Sequence, residues 1–201
     1  MKKARKQAEE QLVFPPPFFP NEISINDRIN NELVEKTIKT IDDLVNVYKY
    51  KKIFIFLDSP GGDFFSSQRM FGKFLDIRRK VETIGVAGGK LHSAAAMVFQ
   101  GFGLRLIRLE TKMILHDMTI GIPPIDFIPY KTSEEEKLAD VKEVFINSYL
   151  MQDYIDYTLM GKTGMSKEET REMLKKGTTL NAEQILKYNL ADGFYNPAYH
   201  H

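Results

Sequence analysis

Residues 88–99 read GGKLHSAAAMVF: two glycines follow an apolar stretch, and a serine then precedes a run of small residues. The preceding stretch, about 82–87, predicts a short strand, and the residues after Ser93 are typical of a closely packed helix. A serine at a helix start has its hydroxyl near unpaired amides and the positive end of the helix dipole. Those features suit a nucleophile. Serine is also a favoured N-cap residue, and without further signals capping is the better-supported interpretation.

A second glycine turn follows the strongest strand signal in the chain. The continuous apolar run IFIFL at 53–57 predicts a strand buried on both faces, and SPGG at 59–62 comes directly after it. Glycines at the end of a strand let the backbone bend sharply and approach a ligand, and free amides in such a turn can stabilise an oxyanion. An ordinary tight turn is the alternative, because Pro-Gly is a common turn signal.

The third signal is a histidine that closes the apolar segment MILH, ending at His116. Histidine is the natural general base near neutral pH, although a single histidine at a strand end is more often structural. His92 adjoins Ser93, but neighbouring side chains on a turn usually diverge, and the remaining histidines lie at the C-terminus, 200–201. His116 is therefore the candidate base.

The rest of the chain alternates between strand and helix patterns, which predicts an α/β protein with a largely parallel sheet. Capping boxes of the form Ser/Asn-x-x-Glu/Gln begin at Ser133, Ser166 and Asn181. Residues 1–20 contain VFPPPFFP and predict an extended arm, followed by a single domain over 21–201. Phe14, Phe18 and Phe19 are the expected packing anchors of the arm, and a surface tail is the alternative. Strands are predicted at 53–57, 82–87, 104–109 and 112–116, and helices at 31–48, 64–78, 93–99, 133–160, from 166, and at 181–189.

Composition limits the classes of function. The 28 basic and 27 acidic residues leave a net charge of +1, so we expect neither nucleic acid nor an anionic membrane as a partner. The absence of cysteine excludes thiolate catalysis and cysteine-based metal sites, and we predict no metal and no cofactor. No apolar run reaches the roughly 18 residues that span a bilayer, and the charged N-terminus lacks the apolar core of a signal peptide, so we expect a cytoplasmic location.

Taken together, the motifs resemble the proteolytic subunit (ClpP) of the Clp protease family over about residues 23–194. Members carry a strand ending in Ser-Pro-Gly-Gly, then Gly-x-x-x-Ser before small residues, then an apolar strand ending in His. They also carry a late segment of the form L-S/N-A-x-E-A-x-x-Y-G-L-x-D. The corresponding segments here are SPGG at 59–62, GKLHS at 89–93, MILH at 113–116 and LNAEQILKYNLAD at 180–192.

The resemblance implies a ClpP/crotonase-like α/β fold of stacked ββα units, with a long handle helix that projects from the domain. It implies a serine endopeptidase that acts on polypeptides inside a homo-oligomeric ring or double ring. Ser93 would be the nucleophile and His116 the general base. The amides of Gly62 and Ala94 would form the oxyanion hole.

One departure from the family pattern concerns the third member of the catalytic triad. Family members carry an Asp three residues before the Leu of the late segment, and this chain has Gly177 there, with no carboxylate in 173–182. A triad Asp holds the tautomer of the histidine and stabilises the imidazolium, so we expect an atypical third member or a non-catalytic or weakly active ring subunit. The candidate substitutes are a backbone carbonyl near Gly177 or one of three carboxylates, Asp117, Asp126 and Asp140.

Two further departures and two alternatives remain. The Pro-rich arm does not resemble the amphipathic N-terminal helix with which the family docks an unfoldase, which weakens the expectation of a Clp-type ATPase partner. The segment after His116 is about a dozen residues longer than usual in the family, and contains GIPPIDFIP at 121–129.

The crotonase enzymes share the broad fold and bind acyl-CoA, but do not need a Ser–His pair. The other alternative is a Ser–Lys dyad, in which Lys131, Lys137 or Lys142 would be the base for Ser93.

Overall fold

The computed structural model describes residues 20–118 and 133–197, and in the long helix it leaves out the side chains of 134–141, 144 and 145. The aromatic anchors predicted in the arm therefore lie outside the described residues, as do Asp126 and the segment 121–129. The chain divides into two compact units. The larger comprises the chain up to Leu115 together with the chain from Thr179 onward, and the smaller is His116–Thr178.

The larger unit is built on a sheet that has seven strands within the described residues, in the order β1-β2-β3-β4-β7, while β5 pairs with β3 and β6. The pairs β1–β2, β2–β3, β3–β4, β3–β5 and β4–β7 are all parallel, as the alternation of strand and helix predicted. The strands are β1 (Glu22–Ile25), β2 (Lys52–Ser59), β3 (Glu82–His92), β4 (Leu104–Ile107), β5 (Lys112–Leu115), β6 (Thr178–Leu180) and β7 (Gly193–Phe194).

The strand β3 differs from its prediction, because it continues past the glycine pair as far as His92 instead of ending near residue 87. Its register with β2 shifts there: Leu57 pairs with Ala87, but Ser59 pairs with Leu91. On its other side β3 pairs with β4 up to Ala87 and with β5 from Lys90 onward. The two glycines thus divide one strand between two partners, which is the role that glycine plays at bulges and bends.

Helices of the larger unit follow their predictions with modest changes at the ends. The first predicted helix ends as an α-helix at Asp42 and continues as a π-helical turn, Asp43–Val47. The strands β1, β6 and β7 were not predicted, because runs of two to four residues give no usable periodicity. The helices are α1 (Asn31–Asp42), α2 (Phe64–Ile77), α3 (Ala94–Phe99) and, after the smaller unit, α6 (Ala182–Lys187).

The core of the larger unit contains a close contact between an aromatic ring and a glycine. Phe74 and Phe102 are buried with ring centroids 4.4 Å apart, and Phe99 packs edge-on to Phe102. A Cβ built on Gly85 would lie only 2.0 Å from the Phe102 ring, so the strand is pressed directly against that ring. The apolar run of β2 is buried as predicted, at Ile53, Phe54, Ile55 and Leu57.

The smaller unit consists mainly of two helices, α4 (Glu134–Thr163) and α5 (Lys167–Lys175). The long helix predicted from Ser133 is present and ends three residues later than predicted. Ser166 forms the predicted capping box with Glu169 at the start of α5, and Asn181 forms one with Gln184 at the start of α6. Among the described residues, no helix is long and apolar enough to cross a membrane.

Candidate active site

Ser93 occupies the single position between the end of β3 and the start of α3, and its backbone is unusual. Its φ of 53° and ψ of −125° lie in a region that residues other than glycine rarely adopt. The Ser93 amide donates a hydrogen bond to the Ile114 carbonyl of β5, at 2.7 Å, which holds the junction in place. The side chain makes no capping hydrogen bond, so the interpretation of Ser93 as an ordinary N-cap is wrong.

The glycine turn after β2 lies against this junction. A Cβ built on Gly61 would stand 2.5 Å from the His92 carbonyl oxygen and 3.0 Å from both the Ser93 Cβ and the Ala94 nitrogen. Only glycine permits that approach, and Gly61 also has a φ of 85°. In the part of the chain that the structure describes, the Gly62 and Ala94 amides donate no hydrogen bond to another residue. Both donors predicted for the oxyanion hole are therefore available.

Three hydrogen bonds hold the glycine turn in place. Ile29 donates its amide to the Gly61 carbonyl, at 2.9 Å, and accepts from the Asp63 amide, at 2.9 Å. The Gly61 amide donates to the Ser59 hydroxyl, at 3.2 Å. These hydrogen bonds fix the turn on both sides of Gly62. Within the described residues, the Gly62 amide itself donates no hydrogen bond.

A carboxylate supports the glycine pair that precedes Ser93. Asp58 accepts a hydrogen bond from the Lys90 amide, at 2.9 Å, and its Oδ2 would be 2.7 Å from a Cβ on Gly89. The same segment sets the acidity of His92, whose pKa is lowered chiefly by burial and also by the positive charge of Lys90, with Asp58 opposing. His92 therefore favours its neutral form.

His116 is the first residue of the smaller unit and is half-buried. Its Nδ1 lies 2.5 Å from the carbonyl oxygen of Asp117. Because a carbonyl oxygen only accepts hydrogen bonds, this contact selects the neutral tautomer with the proton on Nδ1 and the lone pair on Nε2. This is the tautomer that a histidine needs in order to act as a base through Nε2.

The Asp117 carboxylate, one of the predicted substitutes for the triad Asp, is used elsewhere. It forms a two-point ion pair with Arg171, with Nη1–Oδ1 at 2.9 Å and Nη2–Oδ2 at 3.3 Å. Asp126 lies outside the described residues, and Asp140 lies in α4 with its side chain outside them. The acceptor that the structure places at His116 Nδ1 is instead the backbone carbonyl of Asp117, whereas the predicted substitutes were the three carboxylates and a carbonyl near Gly177.

Gly177, which stands where the family has its triad Asp, terminates α5 in the left-handed conformation with a φ of 61°. Its amide donates to the Leu174 carbonyl at 3.0 Å, and the Asp117 amide donates to that same carbonyl at 3.2 Å. The turn at Gly177 is therefore tied to the residue that follows His116. A Cβ built on Gly177 would meet nothing within 4 Å.

The lysines of the Ser–Lys alternative gain no support. Lys131 and the side chain of Lys137 lie outside the described residues, and Lys142 is exposed. Within the described ranges, no group of three or more His, Cys, Asp or Glu side chains is placed to hold a metal ion.

Comparison with known proteins places the chain among Clp proteases. The family model described as Clp protease matches residues 18–197. The ATP-dependent Clp protease proteolytic subunit 2 of Treponema pallidum is 24% identical in an alignment of 196 residues, which covers 94% of this chain and 89% of that protein. Its counterpart in Treponema denticola is 26% identical in an alignment of 176 residues, which covers 84% of this chain and 78% of that protein.

The fold is also found among solved structures. A point mutant of ClpP1 from Listeria monocytogenes superposes with a TM-score of 0.74 at 18% sequence identity, covering 89% of this chain and 94% of that one. The ClpP-like α/β fold expected from the motifs is thereby confirmed.

Proposed function

The chain belongs to the Clp protease family, and on that premise we propose that it hydrolyses peptide bonds with Ser93 as nucleophile and His116 as general base. At the level of the family it is a serine protease of the ClpP type. In the proposed reaction the Ser93 hydroxyl attacks the peptide carbonyl carbon while its proton passes to Nε2 of His116. The imidazolium then protonates the leaving amine. Water next attacks the acyl-enzyme carbonyl carbon while Nε2 of His116 takes its proton, and that proton passes to the Ser93 oxygen as the acyl–oxygen bond breaks.

The observation that carries this proposal is the pair of unused amides, Gly62 and Ala94, beside the strained backbone of Ser93. Strained conformations of residues other than glycine cost about 1–3 kcal/mol and cluster at functional sites. An oxyanion hole needs donors that are held in place before the reaction, and each donor is worth about 10²–10³ in rate. The surrounding hydrogen bonds supply that rigidity, and none of those within 20–118 and 133–197 uses either amide.

We extend the proposal to a homo-oligomer that encloses the site and takes polypeptides as substrates. The matched Treponema proteins are named proteolytic subunits of ATP-dependent proteases. Large exposed apolar surfaces usually mark interfaces, and α4 carries four strongly exposed apolar or aromatic residues. These are Ile146, Tyr149, Leu150 and Tyr157, each more than 60% exposed. The proposal does not include a Clp-type ATPase partner, because the Pro-rich arm does not match the family's docking helix.

One observation favours a second candidate function, that of a non-catalytic or weakly active ring subunit. Gly177 supplies no carboxylate, and the carbonyl at His116 Nδ1 fixes a tautomer without offsetting the charge of the imidazolium. The two candidates differ in whether Ser93 is activated.

A fluorophosphonate probe tests that difference directly, because it reacts with activated serines without any choice of peptide. We expect the wild type to label and Ser93→Ala not to. Ser67→Ala is the matched control, since that hydroxyl is already committed to the Asp63 carbonyl at 2.7 Å. An unlabelled wild type that is folded and assembled would support the non-catalytic candidate.

A further inference from the structure

We propose that the peptide group between Asp117 and Met118 is the orienting acceptor of the base, held by three positioning residues of the smaller unit, Gln152, Asp156 and Arg171. The proposal rests on the proposed function of His116 as the general base. It assigns to the main chain the tautomer-fixing task that a carboxylate at position 177 would perform. All of the groups that carry it belong to the smaller unit.

The first step concerns the two ends of one peptide group. Its carbonyl oxygen, from Asp117, accepts from His116 Nδ1 at 2.5 Å. Its N–H, from Met118, donates to Gln152 Oε1 at 3.0 Å. In a planar trans peptide the C=O and N–H point in opposite directions. A side chain that fixes the N–H therefore also fixes the direction in which the carbonyl faces the imidazole.

The second step concerns Asp117 itself, whose backbone and side chain are both anchored to α5. Its amide donates to the Leu174 carbonyl, at 3.2 Å, and its carboxylate receives both terminal nitrogens of Arg171. Two parallel hydrogen bonds from a guanidinium restrict rotation as well as distance, which a single contact does not. The chain just before the orienting peptide group is thus immobilised.

The third step connects the two anchors. Asp156 of α4 has a side chain only 2% exposed, and its Oδ1 lies 3.4 Å from Arg171 Nη1 and 3.0 Å from Gln152 Nε2. A buried carboxylate is costly unless it is paired, so Asp156 holds both partners in place. If the side-chain amide of Gln152 were rotated by half a turn, its oxygen would face the Asp156 carboxylate, and two acceptors would repel each other. The oxygen of Gln152 therefore faces the Met118 amide.

These contacts form a closed hydrogen-bond network, here called the circuit, around Asp117, the residue after His116. Gln152 sets the plane of the peptide group, Arg171 fixes the residue that supplies the carbonyl, and Asp156 joins the two. A neutral carbonyl in this position selects the Nε2 lone pair but adds no negative charge. The circuit therefore explains how a histidine can be held in its basic tautomer without the usual third carboxylate.

The test compares one disruptive variant with one rescue and one control. Gln152→Leu removes the acceptor for the Met118 amide. Gln152→Glu/Asp156→Asn exchanges amide and carboxylate, which keeps the total charge and restores an acceptor. Lys167→Gln is the control, because it removes an exposed ion pair to Asp153, at 3.0 Å, that joins the same two helices without touching Asp117.

Two measurements are made on the full-length protein. The hydrogen-bonded Nδ1–H of His116 should give a downfield proton resonance in the NMR spectrum, assigned by its absence in His116→Ala. The rate of fluorophosphonate labelling reports the activation of Ser93. We expect Gln152→Leu to lose the resonance and to label about 10- to 100-fold more slowly, the size of effect known for removing the group that orients a metal-binding histidine. The double variant should recover both, and Lys167→Gln should change neither.

The proposal is overturned if Gln152→Leu keeps the resonance, or if the double variant folds but recovers neither signal. Should Gln152→Leu fail to fold, Arg171→Lys takes its place. This variant keeps the positive charge but loses the two parallel hydrogen bonds to Asp117. An unaltered resonance in Arg171→Lys would then overturn the proposal. A wild type that shows the resonance but does not label contradicts the proposed function alone. In that case the NMR comparison still decides the orientation of His116.

Discussion

Gly61 lies so close to Ser93 that a Cβ on the glycine would stand 3.0 Å from the Cβ of the serine. The two residues are far apart in the chain, and each has a positive φ, 85° for Gly61 and 53° for Ser93. The turn that supplies the Gly62 amide and the junction that supplies the candidate nucleophile are thus packed directly on each other. The geometry of the site depends on the absence of a side chain at position 61.

Gly61→Ala should therefore damage the site as well as the fold. We expect a loss of about 1–3 kcal/mol in the free energy of unfolding from the positive φ alone, with further loss from the overlap with the His92 carbonyl. Labelling should fall because the amides shift. Gly72→Ala is the control: this glycine lies within α2, nothing is within 4 Å of its Cβ, and the change should add about 0.5–1 kcal/mol. Equal stability of the two variants in urea unfolding would contradict this account.

The identity of the base can be tested by comparing the two described histidines. His116→Ala should abolish fluorophosphonate labelling while the protein remains folded, because Ser93 then has no group to take its proton. His92→Gln should label at close to the wild-type rate, even though His92 adjoins Ser93. If His116→Ala labels like the wild type, the base is another group, and the Ser–Lys alternative returns.

The acidity of His92 gives a prediction about pH. Burial and the Lys90 charge lower its pKa, so in an NMR titration it should become protonated only below 6.5, and Lys90→Met should raise the midpoint. The unfolded chain takes up this proton at higher pH than the folded protein does. The free energy of unfolding should therefore decrease as the pH falls from about 6.5 through the folded-state pKa, and the decrease should be smaller in His92→Gln. A midpoint above 6.5 would contradict the assigned environment.

Gly177 provides a test of the missing charge. Nothing obstructs a side chain there, and Asp and Asn are among the few residues that tolerate the left-handed conformation, at a cost of about 1 kcal/mol or more. Gly177→Asn carries nearly the same shape and backbone cost as Gly177→Asp but no charge. We expect Gly177→Asp to label and to hydrolyse peptides faster than Gly177→Asn, because a carboxylate stabilises the imidazolium. Equal rates would mean that the carboxylate does not reach His116.

The exposed residues of α4 predict the state of assembly. Light scattering at micromolar concentration should give a mass well above that of a dimer for the wild type. Tyr149→Glu/Leu150→Glu should lower the mass, since charges replace two side chains that are 71% and 63% exposed in the isolated chain. Val47→Glu alters an apolar residue outside α4 that is 60% exposed, and should leave the mass unchanged. A monomeric wild type would remove the basis for a ring.

The α/β class and the family can both be recognised from the order of the amino acids. Buried strands such as IFIFL at 53–57 are local patterns, and a glycine turn, a serine before small residues and a strand-ending histidine are informative as an ordered set. The sequence also shows that position 177 carries no carboxylate. These properties follow from residue type and order, because each needs only the chemistry of one short segment.

The partners of the polar groups, by contrast, become known only from the folded chain. No local pattern indicates that the Asp117 carboxylate pairs with Arg171, because that partner comes from a distant segment. The contact of the Asp117 carbonyl with His116 joins neighbouring residues, but the peptide group that makes it is anchored by Gln152, which folding brings from α4. The short strands β6 and β7 and the continuation of β3 past Gly89 likewise depend on pairing with distant chain, which periodicity within a segment does not contain. The availability of the Gly62 and Ala94 amides also depends on distant parts of the chain. An unused donor is recognised only when every neighbouring acceptor is known, and those acceptors are brought together by folding.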